Sequence, residues 1–295
     1  MNDLFNEACL IQLETSAWSG AKKLPESALT KIGDSIDWLG GRKYLVDPEV
    51  LNPPKAIIAM ARKLLNKRSL PFPLTGFSLV RKTIIDDIEA ELEELKKTFD
   101  EAVDVIAINY DLAKDRGREV LEPMGLYNDF DYPRDIRTKY GFAWRYVTIS
   151  TPDNISILSK EVYDREVQKA QEMIKNAREL AIETLHLELR ELTQHMVDRL
   201  DYTDDGKGKK FKDSLVSNFD EFFEFFQHRN LFDNERLNSI VEKAKEAIKG
   251  VTPNTLRDVT QVRNDVRSKM EQVRTIIDQN LESIPRRRIR LDQAA

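Results

Sequence analysis

Two long apolar stripes, separated by a short aromatic stretch, constrain this chain more than any other feature. The first runs Ile85, Ile88, Leu92, Leu95, Phe99, Ala102, Ile106. The second runs Tyr163, Val167, Ala170, Ile174, Ala177, Ala181, Leu185, Leu189, Leu192, Met196, Leu200. Steps of three and four put each set along one side of an α-helix, so each stripe is a seam that needs covering. The spacing predicts one helix over about 80–121 and another over about 157–201, rods of roughly 50–60 Å at 1.5 Å per residue. Consecutive elements tend to be neighbours, so the expectation is a long antiparallel, coiled-coil-like hairpin of the two. The alternative is an exposed coiled coil offered to another subunit or another protein.

The flanking sequence fills in a mainly α (α+β) fold. Aromatic and β-branched residues over Tyr140–Ile149 predict a strand, and Cys9, Ile11, Leu13 and Thr15 alternate within a second predicted strand over 8–18. These two are expected to pair, closing a small sheet at one end of the helices. Asp47-Pro48-Glu49 reads as a helix start, Pro53-Pro54 as an interruption, and 55–67 as a short amphipathic helix. Residues 70–77 read as a non-helical crossing. Beyond the second rod, 201–210 is polar and reads as a mobile turn. A C-terminal cluster of three helices is expected over 211–228, 233–249 and 253–282, with Asp233 and Thr252-Pro253 as starts and Gly250 as a stop. The chain thus divides into 1–79, 80–201 and 202–295.

Composition narrows the classes. Charged residues make up 33% and hydrophobic residues 41% of 295, a balance suited to helices with solvated faces and thin cores. A net charge of −5 gives no overall attraction for nucleic acid or an anionic membrane, so any such contact needs a local patch. The single cysteine, Cys9, excludes an intramolecular disulfide and a thiolate metal cluster. The start, MNDLFNEACL, lacks the basic and long apolar regions of a secretion signal. No apolar run approaches the ~20 residues that span a bilayer. A cytoplasmic protein that does not enter membranes is the expectation.

Each chemically suggestive group has an ordinary reading beside it. Phe219, Phe222, Phe223 and Phe226 fall at helical core spacing, leaving Phe225 as the exposed ring and a protein-contact candidate. The turn carrying Asp204, Lys207 and Lys210 is the other protein-contact candidate. His186 and His195 lie nine residues apart on one helix, over ~13 Å, and cannot share a metal. They read as solvated or core-edge side chains, as does His228. Gly206-Lys207-Gly208-Lys209-Lys210 lacks the spacing and context of a phosphate-binding loop. Glu89, Glu91, Glu93 and Glu94 read as a solvated helix face. No catalytic, cofactor or metal set emerges. Arg286, Arg287, Arg288 and Arg290 form a basic tail that either contacts nucleic-acid phosphates or serves as a solubilising terminus.

Three stretches carry a family resemblance: Trp18-Ser19-Gly20-Ala21-Lys22-Lys23-Leu24, Gly41-Arg42-Lys43-Tyr44-Leu45-Val46-Asp47-Pro48, and Phe211-Lys212-Asp213-Ser214-Leu215-Val216-Ser217-Asn218 before a Phe-rich helix. Together they resemble an uncharacterised bacterial and phage family, a domain of unknown function carried on phages, plasmids and integrative elements. Genes of that family commonly sit beside a MoxR/CobS-like AAA+ ATPase and a von Willebrand factor A or CobT-like protein. The resemblance implies a companion of an ATPase module and transfers no catalytic residues. The resulting expectation is a non-enzymatic scaffold or adaptor, able to self-associate, that acts with an AAA+ ATPase and a von Willebrand A-type partner. Two alternatives stand beside it: a nucleic-acid-associated protein of a mobile element using the basic tail, and a helical pore-former.

Overall fold

The computed structural model describes residues 2–30, 40–149, 159–204 and 206–283. In chain order these form α1 (Asn2–Glu7), β1 (Ala8–Ser16), β2 (Ala21–Lys23), α2 (Glu26–Leu29), β3 (Arg42–Tyr44) and α3 (Asn52–Arg68). Then come β4 (Leu70–Pro71), β5 (Phe77–Arg81), α4 (Ile85–Ile108), α5 (Tyr110–Leu121) and β6 (Gly141–Val147). The remainder is helical: α6 (Lys160–Leu200), α7 (Ser214–Arg229), α8 (Glu235–Ile248), α9 (Pro253–Asp258) and α10 (Thr260–Ser283). The fold is mainly α, with a four-stranded sheet in the order β4-β5-β1-β6, a two-stranded ribbon β2-β3, and a C-terminal helical cluster. Among the described residues no helix is long and apolar enough to cross a membrane. The chain divides into two compact units, Met1–Leu10 with Lys67–Thr83 and Val147–Ala295, and Ile11–Asn66 with Ile84–Tyr146. The sequence suggested three consecutive segments instead; the difference arises because each unit is assembled from stretches distant in the chain.

The first unit is organised by α6. Ser159 starts the helix, its Oγ accepting from the Val162 amide at 3.4 Å. At 41 residues α6 extends for about 60 Å. The expected hairpin partner is corrected here: α6 is covered by α10. Three contacts fix the pair as antiparallel. Arg190 meets Asp278, Arg274 donates to Gln194 Oε1 at 3.0 Å, and Arg263 donates to the Leu200 carbonyl at 2.8 Å. Ala177, Ala181, Leu185, Leu189, Met196 and Leu200 are buried, as their spacing predicts, against Val266, Met270, Val273 and Ile277. Tyr163, Val167, Ala170 and Ile174, at the start of the same stripe, are only half-buried.

The other helices of this unit close on that pair. Phe219, Phe222 and Phe226 of α7 are buried, and Phe223 packs half-buried against the same core. Arg229, 5% exposed, forks onto both Glu188 oxygens at 2.6 Å and donates to the Ser69 carbonyl at 3.2 Å, tying α7 to α6 and to the start of β4. The cap of α8 is Asn234, which accepts from the Leu237 amide at 3.0 Å, one residue after the expected Asp233. Thr252 and Thr255 cap α9 reciprocally, and Gly250 turns the chain at φ +70° as expected. The helix expected over 253–282 is broken at Val259.

In the second unit the rod expected over 80–121 is divided. Its first residues belong to β5, and Asn109 separates α4 from α5, its Nδ2 donating to the Val105 carbonyl at 2.8 Å. The α4 seam is satisfied within its own unit. Ile88, Leu92, Phe99 and Ile106 are buried, and Phe99 lies 5.4 Å from Phe142 of β6 and 6.3 Å from Tyr140, ring centre to ring centre. Trp144 donates to Glu89 at 2.7 Å, so Glu89 is a partner of the strand and not merely a solvated carboxylate. This is the physical reason why the stripe needs no second rod: large aromatic side chains of β6 cover it. Pro53 and Pro54 lie within the first turn of α3 and open it instead of interrupting it, since the first amides of a helix have no intrahelical partner. At Gly117 α5 passes so close to the 44–46 backbone that a Cβ would lie 2.1 Å from the Leu45 oxygen.

Candidate protein-interaction surface

The outer side of α4 and α5, opposite the buried seam, is apolar where solvent would favour polar residues. Val105, Ile108, Leu112, Val120 and Met124 are all exposed, Ile108 by 78%. Their steps of three, four, eight and four keep them along one side of the helical path, with Arg116 filling the gap between Leu112 and Val120. Along one edge run exposed acids at helical spacing, Glu101, Asp115, Glu119 and Glu122, with Asp104 on the same edge paired to Arg137 at 3.0 Å. Singly exposed apolar residues are ordinary; a stripe of five bordered by acids is the candidate for an interaction surface.

The loop after α5, held to the Tyr110, Lys114 and Arg118 side of the helix, carries a second exposed apolar group. Phe130 is 94% exposed, yet the loop that carries it is held on every side. Lys43, itself buried, pairs with Asp131 at 2.6 Å and donates to the Leu126 carbonyl at 2.6 Å. Lys114 pairs with Asp129 at 2.6 Å, Tyr127 Oη donates to Asp129 at 3.0 Å, and Arg118 donates to Tyr127 Oη at 3.0 Å. Asn128 caps the turn, accepting from the Phe130 amide at 3.0 Å. Tyr132 Oη donates to the Leu45 carbonyl at 2.7 Å, and Tyr110 Oη to the Pro133 carbonyl at 3.1 Å.

The electrostatics of this cluster favour holding over chemistry. Hydrogen bonds from Lys114 and then Tyr127 hold Asp129 below the usual carboxylate range, and the same bond raises Lys114. Burial pushes Tyr132 up to about 12 and raises Tyr110 further, so both phenols stay protonated at neutral pH. Each of these groups is engaged in fixing the loop, and the product of that arrangement is a rigidly presented phenyl ring. Large rings presented without an ordering cost are the usual anchors of protein interfaces.

The residues singled out from the sequence are scattered. Phe225 is half-buried, with the Arg68 guanidinium 5.1 Å from its ring centre, and so is less available than its spacing predicts. Asp204, Lys207 and Lys210 are exposed, and described residues around them are joined by backbone hydrogen bonds. Tyr202 bridges to Gly208, Thr203 N donates to the Lys207 carbonyl at 2.7 Å, and Lys209 N to the Asp201 carbonyl at 3.0 Å. The buried Arg263 runs underneath, donating to the carbonyls of Arg199, Leu200, Asp201 and Lys209 at 2.8–3.1 Å, with Tyr202 and Phe211 rings 5.4 and 5.7 Å away. His186 is buried, His228 half-buried and His195 exposed. Arg286, Arg287, Arg288 and Arg290 lie outside the described residues, as do Asp205 and Thr151-Pro152-Asp153. The α4–α5 stripe and Phe130 escape a reading that follows only the buried seam, although the stripe's three- and four-residue spacing is visible in the sequence.

A family model described as a protein of unknown function (DUF3150) matches residues 5–201. The match takes in both the apolar stripe and Phe130 and ends just after the last residue of α6. No curated protein and no solved structure matches the chain.

Proposed function

The chain belongs to this DUF3150 family of unknown function, and from that premise we propose that it acts as a non-enzymatic scaffold or adaptor that docks a protein partner on the α4–α5 surface. The observation that carries the reading is the exposed apolar stripe Val105, Ile108, Leu112, Val120 and Met124, with Phe130, almost fully exposed on a loop tied down by Lys43 and Lys114, as a second contact point. Acids along the stripe favour a partner helix whose apolar contact residues are flanked by Lys or Arg. The AAA+ ATPase and the von Willebrand A-type protein implied by the family resemblance are the partners proposed. Extended helical surface, and no convergence of ionisable groups that reads as catalytic among the described residues, suits a component that positions other proteins.

The test is direct binding of the full chain to each neighbour-encoded protein by titration calorimetry, with mass measured in solution. Phe130→Ala and Ile108→Asp each remove an exposed apolar group without disturbing the core, so melting should be unchanged. Binding should weaken at least about thirtyfold for an interface anchor of this kind. Wild-type affinity in both variants, or no complex with either protein, would refute the proposal.

A further inference from the structure

Two of the three sequence stretches that carry the family resemblance meet each other in the ribbon β2-β3. The pairing is antiparallel, with Ala21 opposite Tyr44, Lys22 opposite Lys43 and Lys23 opposite Arg42. Residues directly opposite share a face, and successive pairs alternate faces. One face therefore carries Lys23, Arg42 and Tyr44 with the small Ala21, and the other carries Lys22 and Lys43. Like charges directly across a ladder destabilise it, and this ribbon has two such pairs in three rungs. Among the described residues, an ion pair neutralises only Lys43, through Asp131 at 2.6 Å. Lys22, Lys23 and Arg42 are exposed and form no ion pair with a described residue.

The ribbon is also held in place. Leu45 N donates to the Gly20 carbonyl at 2.7 Å and Leu24 N to the Gly41 carbonyl at 3.0 Å, fixing its two ends. Gly20 adopts φ +65°, and a Cβ there would lie 2.5 Å from Leu51 Cδ1. Ser19, Gly40 and Gly41 join the three cations around an open cleft of about 700 Å³. Tyr44 is 56% exposed, and the methyl of Ala21 opposite it covers little of the ring.

We propose that this ribbon binds single-stranded nucleic acid, with Lys23 and Arg42 on backbone phosphates and Tyr44 stacked on a base. A free phosphate would use the cations and leave the ring idle, whereas a duplex keeps its base faces covered. Cations interleaved with an open aromatic on one β-surface match the single-stranded polymer. The site uses none of the exposed residues of the α4–α5 surface and does not depend on the adaptor reading. With the molecule at −5 overall, attraction is confined to the ribbon and falls steeply with salt.

The experiment is fluorescence anisotropy of a fluorescein-labelled twelve-nucleotide oligothymidylate with the full chain, from about 50 to 200 mM salt. Two phosphate contacts give a slope of log affinity on log salt of about −1.4, and Lys23→Ala or Arg42→Ala each reduces its magnitude by about 0.7. Tyr44→Ala weakens binding by about five- to a hundredfold at unchanged slope, and Tyr44→Phe binds like the wild type. Phe130→Ala also binds like the wild type, which separates this result from the test of the adaptor role. All of these side chains are exposed, and unchanged melting curves check that the variants fold. Absence of binding at 50 mM salt overturns the proposal. So does wild-type affinity in the Lys23, Arg42 and Tyr44 variants alike, as binding through the basic tail would give. Equal binding of a duplex of the same length with no effect of Tyr44→Ala, the behaviour of a plain phosphate site, overturns it as well.

Discussion

Replacing Arg263 by Met should unlock the end of α6 from α10 and from the 201–210 turn. The guanidinium serves four carbonyls at 2.8–3.1 Å and is 6% exposed. Water can take over the carbonyls nearest the exposed turn. That leaves one or two buried oxygens without a donor, at about 1–3 kcal/mol each. Loss of the cation–ring contacts with Tyr202 and Phe211 adds roughly 0.5–1 kcal/mol apiece, and removing the desolvated charge gives some of this back. The net loss is about 3 kcal/mol. For a unit of this size that lowers the melting temperature by about 6–12 °C. Calorimetry measures the shift, and hydrogen exchange at Thr203, Gly206 and Lys209 locates it, because their amides close the turn. Arg263→Lys keeps the charge but loses the planar fork and should fall between the two. A Met variant that melts within about 2 °C of the wild type, with the three amides equally protected, would refute the reasoning.

Gly117→Ala should destabilise the second unit by at least ~2 kcal/mol, because the added methyl meets the Leu45 oxygen at 2.1 Å and a backbone atom cannot swing aside. Helix propensity alone predicts the opposite sign, up to ~1 kcal/mol of gain, so a raised denaturation midpoint would sink the packing explanation. His186 gives a pH prediction. Burial lowers its pKa while the Ile182 carbonyl, 2.8 Å from Nδ1, opposes the shift, so the folded chain favours the neutral ring. Its contribution to stability is whole above about pH 6.5 and is lost as pH falls from there through the lower folded value, by at most ~1.4 kcal/mol per unit. Urea titrations at several pH values should show His186→Leu losing less stability than the wild type on acidification; parallel curves would contradict the assignment.

Much of the secondary structure was legible because its causes are local. The α6 seam from Ala177 to Leu200, the aromatic strand β6, the proline and threonine that start α9, and Gly250 all act within a few residues of themselves. Boundaries failed where two local rules compete. Pro53-Pro54 read as an interruption, yet proline is tolerated in the first helical turn, where amides lack partners. Asp233 and Asn234 are both good caps, and the backbone favoured the second. The Asn109 break is hidden because the Ile106 seam continues into Tyr110 at a step of four, so periodicity carries on across it.

The candidate surfaces show the same division. Lys22, Lys23, Arg42 and Tyr44 were visible in the sequence within two separate motifs, but only the register of β2 with β3 sets them side by side. Phe130 is inconspicuous within Leu-Tyr-Asn-Asp-Phe-Asp; its significance comes from the pairs with Lys43 and Lys114 that hold the loop, and those bonds join residues far apart in the chain.

By itself the sequence determined the long helices, the strands β1 and β6 and which side of each helix demands cover, since backbone periodicity and capping are short-range. It did not determine what supplies the cover. An apolar seam has no intrinsic partner, and any surface of matching shape lowers its exposure equally well. Tertiary packing made the choice, giving the first stripe to the rings of β6 and the second to α10, with Arg263 fastening carbonyls more than fifty residues away in sequence.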